Sequence, residues 1–449
     1  MDILALLACL SPAMTATTIR QLSSIAQALL TLTGRVTMTG LARWSGPGAS
    51  YRTIQRFFAT PIPWAQLTWL FLRQHLLAPD DVYLLAGDEV VVPKAGKKTH
   101  GLDRFFSGIV QKPVPGLAFF SLALLSTRTR RAFPLRSEQV VRTPEEKAAR
   151  KAQAAAKKSS PPAARRTPGR PKGSRNKVKT ARPLSAELQR IQTLLQAQLD
   201  LIGGVLPLVY LAMDGHFGNS PCLQMVRGCG LHLISKLRAD AALYLPYAGP
   251  YAGHGPQRKY GGKLNLAAIP VDFLRQTSVA ASSETTVYQA HLLHKEFAQP
   301  LNVVIIVKTN QRTQARAHVL LFSSDLALGY EQMISYYSLR FQIEFTFRDA
   351  KQYWGLDDFM NVTETAVTNA ANLALFMVNV SAVLLAEQRQ REPDCSILDL
   401  KAQYRGYKYV SATIKMLPQK LDASIMGQIV RQVCSLGRIH PAALYPNAA

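Results

Sequence analysis

Four residues with chemistry in their side chains recur at helical spacing late in the chain: Tyr337, Arg340, Glu344 and Lys351. Within Tyr336–Lys351 read as one helix, at roughly 100° per residue, they fall inside a sector of about 60°. One helix face would then present a phenol, a guanidinium, a carboxylate and an ammonium in a row. Asp349, the other acid of the stretch, falls on the far side. A single acid among cations suits a site that holds a metal ion and a phosphate together, and it equally suits a solvated face laced with ion pairs. The aromatic residues Phe341, Phe345 and Phe347 read as core. What decides between the two readings is whether other elements bring further acids to this face.

Two candidates lie upstream. The run Val82–Val92 is apolar except at its middle, where Asp88 and Glu89 stand on opposite faces of a strand, so at most one of them joins a given site. A Lys94, Gly96, Lys97, Lys98 turn follows, and then strands over 117–125 and 132–141 in an antiparallel meander. A helix over 184–202 leads to a buried strand, Leu206–Met213, that ends at Asp214. The turn Gly215-His216-Phe217-Gly218-Asn219, a helix to Arg227 and a strand over 231–237 come next. Acids at or near the ends of two neighbouring strands can converge with a third on a later helix. Such a set of hard oxygens suits Mg²⁺, which keeps several waters and takes phosphate oxygens. A pair of such ions supports in-line phosphoryl displacement. Taken singly, a strand-end aspartate often only caps its turn.

Composition agrees with a polyanionic partner. The chain has 449 residues and a net charge of +25, with 53 Lys and Arg against 28 Asp and Glu. A protein this basic, without lipid-anchor motifs, meets nucleic acid more often than membrane. The apolar start lacks the positive flank of a signal peptide, and the apolar run Leu373–Ala386 is short for a bilayer and contains Asn379 and Ser381. Five scattered cysteines without a C-x-x-C pair read as reduced thiols of a cytoplasmic protein.

The flanking regions read as follows. Residues 1–75 are helical. Thr37 caps a helix to Trp44, Gly46-Pro47-Gly48 turns the chain, and Ser50 caps a helix to Ala59 that carries Arg52, Gln55 and Arg56 outward. This resembles a helix-turn-helix DNA reader. Residues 147–182 hold thirteen Lys and Arg and no acid, so they read as a disordered basic insert. Within it Gly169-Arg170-Pro171-Lys172, with Arg175 nearby, resembles an AT-hook, although a flexible linker held to phosphates by charge alone has the same composition. Residues 241–300 read as a β-rich insertion closed by strands over 301–308 and 318–322. A buried helix surrounds 373–385, and 391–449 form a helical C-terminal region. The catalytic core then comprises 76–146, 183–240 and 301–390.

The spacing Tyr337-x2-Arg340-x3-Glu344-x6-Lys351 resembles the Tyr-Arg-Glu-Lys signature of the DDE transposases of bacterial insertion sequences, with Asp88 and Asp214 in the matching order. The likeness covers about residues 20–390. It implies an α/β fold, an RNase H-like mixed sheet flanked by helices with a β-rich insertion before the glutamate helix. It further implies Asp88, Asp214 and Glu344 as ligands of two Mg²⁺ ions, with Mn²⁺ as a substitute, and Tyr337, Arg340 and Lys351 on DNA phosphates. The partners it implies are double-stranded DNA (transposon ends and target), with a homodimer joining the ends, in a nucleoid-associated bacterial setting. Gly215-His216 departs from the basic residue many relatives carry there, and the insert at 147–182 is an addition to the family core. Two rival readings are a DNA-binding protein with a retired nuclease core and a nuclease without strand transfer.

Overall fold

The computed structural model describes residues 2–46, 49–108, 110–159, 183–251, 253–280, 282–417 and 421–440. Five helices open the chain: α1 (Ile3–Leu6), α2 (Ala16–Thr31), α3 (Met38–Ser45), α4 (Tyr51–Ala59) and α5 (Trp64–His75). Thr15, Thr37 and Ser50 each accept the N–H three residues on, which satisfies an orphan donor at the start of α2, α3 and α4. Gly46 has φ of +81°; Pro47 and Gly48 of the expected turn lie outside the described residues.

A sheet follows. Its first strand, β1 (Tyr83–Pro93), pairs along its whole length with β3 (Lys112–Ser126), which also carries β2 (Asp103–Ser107) and β4 (Arg131–Gln139). Helices α6 (Pro144–Ser159) and α7 (Ala186–Ile202) precede β5 (Tyr210–Met213), and α8 (Ser220–Gly228) crosses to β6 (His232–Leu237). β7 (Leu243–Pro246), β8 (Tyr260–Lys263), β9 (Leu274–Ala280), β10 (Ser283–His294), β11 (Leu301–Asn310) and β12 (Arg316–Ser323) complete the strands. The order is β2-β3-β1-β5-β6-β12-β11-β10-β7-β8, with β4 added to β3 and β9 to β10. β1, β5 and β6 are mutually parallel, and β3 and β12 run against them. This mixed sheet is compatible with an RNase H-like DDE core.

Residues 241–300 carry β7 to β10, which β11 and β12 join to β6 in one sheet. Two expectations need correction. The strand before Asp214 begins at Tyr210 rather than Leu206. The basic stretch from Lys147 is helical as far as Ser159, within α6. Ala, Lys, Arg and Gln are strong helix formers, and Glu145 and Glu146 in the first turn complement the helix dipole. The AT-hook-like residues Arg170, Lys172 and Arg175 lie outside the described residues.

Alternation along β1 sorts the interior into two layers. Leu84, Ala86, Val90 and Val92 join a core with residues of α2, α4 and the late helices. Tyr83 and Leu85 join another with α7, α8 and β10–β12. The late helices are α9 (Tyr330–Arg340), α10 (Gln342–Trp354), α11 (Glu364–Arg389), α12 (Ile397–Ile414) and α13 (Ala423–Ser435). α11 is long and apolar enough to cross a bilayer, yet 83% of its apolar window is buried inside the protein, so its composition is explained by the core it threads.

The N-terminal helices are locked into that same core. Trp64 Nε1 donates to Asn369 Oδ1 at 2.8 Å, and Asn369 Nδ2 donates to the carbonyls of Phe58 and Thr60. Lys401 on α12 donates to the carbonyls of Leu29 and Tyr353, near the ends of α2 and α10. Gly355 ends α10 with φ of +82°, where an added Cβ would meet Val36.

Candidate active site

β1 and β5 pair at Leu85–Leu211, Ala86–Ala212 and Gly87–Met213. Asp88 and Asp214 are therefore the next residues on adjacent parallel strands. Asp214 does end its strand, but Asp88 does not: it sits in the middle of β1, opposite Ser121 of β3. The two strands part there because β5 stops while β1 runs on to Pro93. Asp214 also caps the turn that follows, accepting from His216 N at 3.1 Å, while Ser235 Oγ donates to its carbonyl. Gly218 closes this turn against β6, since an added Cβ would lie 2.1 Å from the Lys236 carbonyl oxygen.

The third acid arrives on a helix that is not the one expected. Tyr336–Lys351 is two helices, α9 and α10, meeting at Phe341. Phe341 keeps helical angles (φ −60°, ψ −19°), and its N–H and that of Glu344 bond three residues back instead of four. Glu344 thereby stands in the first turn of α10 and Arg340 in the last turn of α9. Arg340 joins the acids: Nη1 donates to Asp88 Oδ2 at 3.4 Å and Nη2 to Glu344 Oε1 at 3.1 Å. Its side chain is 12% exposed, and its buried Nε has no hydrogen-bond partner. Burial raises the Asp88 carboxyl to about 6 against the pull of Arg340, with Asp214 and Glu344 adding to the rise. Tyr337 lies 5.8 Å below the guanidinium, ring centroid to carbon, and burial pushes its phenol up.

Lys351 does not extend this row toward solvent. Its Nζ donates to the Val91 carbonyl at 2.7 Å and lies 3.5 Å from Asp357. A cleft of about 410 Å³ opens here, lined by Val90, Glu344, Phe347, Arg348, Lys351, Gln352 and Asp357. Two of the three phenylalanines expected in the core are at the surface. Phe341 and Phe345 are 47% and 36% exposed and meet edge to face at 5.3 Å, whereas Phe347 is buried.

Hard carboxylate oxygens gathered around a buried cation fit a divalent ion in their chemistry. Their spacing in this state is set by the arginine: among the described residues no group of three His, Cys, Asp or Glu side chains is close enough to hold a metal ion. The buried Nε without a partner shows that the guanidinium has donor capacity the protein does not use.

Two residues here, Glu187 and Arg130, escaped the sequence reading. Glu89, on the opposite sheet face from Asp88, is raised by burial and by Glu187, and Glu187 pairs with His216 at 3.8 Å. The hydrogen bond to Glu187 raises the His216 imidazole against its burial. Arg130 donates to Ser335 and Ser338 and holds α9 over β4. The outward residues Arg52, Gln55 and Arg56 of α4 are all exposed.

The DDE superfamily endonuclease profile matches residues 7–296, a span that holds Asp88 and Asp214 and ends before Glu344. No curated protein matches the chain. With more than half of its length covered by that profile, and with two aspartates side by side on parallel strands, the chain belongs to the DDE superfamily endonucleases.

Proposed function

We propose that this protein is a transposase that binds the inverted-repeat ends of an insertion sequence, cuts DNA there and joins the 3′-hydroxyls to target DNA. The observation that carries the reading is Arg340 bridging Asp88 and Glu344 beside Asp214, in a chain of this family. Asp88, Asp214 and Glu344 would hold two Mg²⁺ ions, or Mn²⁺, which when bound supply an activated oxygen nucleophile and stabilise the leaving oxygen. Arg340 would then exchange its carboxylates for a DNA phosphate, offering the Nε that has no partner here. Tyr337, packed beneath it, orients the guanidinium. Lys351 acts by bracing α10 on β1 and so positions Glu344 rather than DNA.

In this reading α4 presents Arg52, Gln55 and Arg56 to the transposon end, the basic residues after Ser159 hold flanking phosphates, and a homodimer brings two ends together. The division of the core at 76–146, 183–240 and 301–390 follows the two strands and the helix that carry the acids, with 391–449 as a helical C-terminal region.

The test uses purified protein, Mg²⁺ and duplexes drawn from the DNA that flanks the coding frame. Cleavage and end-joining are expected from the wild type, cleavage is abolished in Asp88→Ala, and Glu344→Gln loses cleavage while keeping end binding. Uncut ends would overturn the reading. The absence of a close acid cluster among the described residues favours a rival, a DNA-binding protein whose nuclease core is retired. It predicts end binding with no cleavage at any Mg²⁺ or Mn²⁺ concentration. Cleavage without joined product would instead identify a nuclease of the same family.

A further inference from the structure

The sheet runs past the acids. Asp88 lies opposite Ser121, and eight residues earlier on the same strand Pro113 lies opposite Phe106 of β2. Directly opposed residues share a face, and Ser121 and Pro113 are an even number apart, so Phe106 emerges on the face that carries Asp88. Arg104, opposite Pro115, emerges there too. Between them Phe105 points to the other face, 1% exposed, with the Arg142 guanidinium 4.1 Å above its ring. Phe106 is 59% exposed and Val110, at the turn, 47%. These two apolar side chains contribute nothing to the core.

The base of this hairpin is rigid. Arg142 Nη1 donates to Asp103 Oδ2 and to the Arg104 carbonyl, and Arg104 Nη2 donates to the Pro113 carbonyl. His100 N donates to the Val362 carbonyl, and Lys94 Nζ to the carbonyls of Asp357 and Phe359. The charge is one-sided: Lys97, Lys98, Arg104 and Lys112 are exposed, and the one acid between Pro93 and Leu117, Asp103, is taken by Arg142. An apolar tip flanked by unopposed cations matches a groove between two phosphate backbones better than a protein surface.

We propose that the β2–β3 hairpin is a DNA-contacting arm, with Phe106 entering the minor groove as an apolar wedge and Arg104 and Lys112 holding the neighbouring phosphates. Eight residues of strand span about 26 Å, which places the wedge about eight base pairs from the bond held at Asp88. The inference rests on the DNA-cutting reading above and adds a second point of grip on the same duplex.

The test measures binding of Asp88→Asn protein to a flanking-DNA duplex with 2-aminopurine placed at successive positions from the end. In the presence of Phe106, fluorescence rises at a step about eight base pairs in. Phe106→Ala is expected to abolish that rise and to weaken binding about tenfold, Phe106→Trp to restore both, and Arg104→Gln to lower the salt dependence of binding. Because Phe106 is exposed, Phe106→Ala keeps the melting temperature. Unchanged fluorescence and affinity in Phe106→Ala, with the parent protein binding normally, would overturn the arm. Failure of the parent to bind at all would count against the transposase reading instead.

Discussion

Lys351 Nζ donates to the main-chain carbonyl of Val91 at 2.7 Å, fastening the last turn of α10 to the strand that carries Asp88. A lysine that ends on a half-buried main-chain carbonyl is a spacer between two acid-bearing elements. Replacing it by Met leaves the Val91 carbonyl without this partner, at a cost of about 1–3 kcal/mol. Lys351→Met is expected to lower the denaturation midpoint, and to weaken DNA binding less than Arg340→Met does. A stable Lys351→Met protein that no longer binds DNA would instead make the ammonium a phosphate contact.

Arg340 is the cation that pairs with both Asp88 and Glu344. Its removal leaves the two carboxylates without the counter-charge they share, and a divalent ion answers that need. Arg340→Met is expected to bind Mn²⁺ at least about tenfold more tightly than the wild type, as read by direct titration in the absence of DNA. Equal affinity in the two proteins would show that the guanidinium does not stand where the ion goes.

The three phenylalanines of α10 and its joint should separate cleanly. Phe347→Ala opens a cavity in the first core and is expected to cost about 3–5 kcal/mol. Phe341→Ala and Phe345→Ala, at the surface, should each cost less than about 1 kcal/mol. Urea denaturation of the three variants checks this directly.

Asp399 gives a pH dependence. It is fully buried at the start of α12, where it accepts from Ser396 N and Oγ and from Ile439 N and His440 N. Burial pushes its carboxyl up, but the hydrogen bonds from Ser396 and His440 outweigh this and hold it well below the usual carboxylate range. A depressed folded-state value means the stabilisation is present above the unfolded value of about 3.9 and is lost as pH falls below it. Asp399→Asn is therefore expected to be less stable than the wild type at neutral pH, with the difference shrinking below pH of about 4. A gap that stays constant with pH would exclude this linkage.

Much of this site could be read from residue order. Asp88 lies within an apolar strand and Asp214 directly after another, and right-handed parallel crossovers make such strands neighbours. The caps at Thr37 and Ser50 were visible because hydroxyls before apolar-periodic runs have one common use. The joint at Phe341 was not visible, since no Pro or Gly stands between Tyr330 and Trp354 and the residue keeps helical angles. On either side of the joint Leu339 and Ile343 are buried in the core, and Arg340 reaches Asp88. Nor could β2 be read: it is five residues long and pairs with a segment containing Pro113 and Pro115. The join of β12 to β6 is a pairing across some eighty residues, which local pattern does not record. Nor was α6 read as helical from Lys147 on, because a run of cations without acids suggests a solvated chain, although its alanines favour a helix.

Strands β1 and β5 are hydrogen-bonded as far as Gly87 and Met213 and then part, β1 running straight on while β5 turns away. The two aspartates sit in the crotch of that fork. Spreading its prongs severs no rung between β1 and β5, since none is formed past Gly87 and Met213. A sugar-phosphate chain could therefore be admitted between the prongs by a local yielding, with the sheet beneath remaining intact.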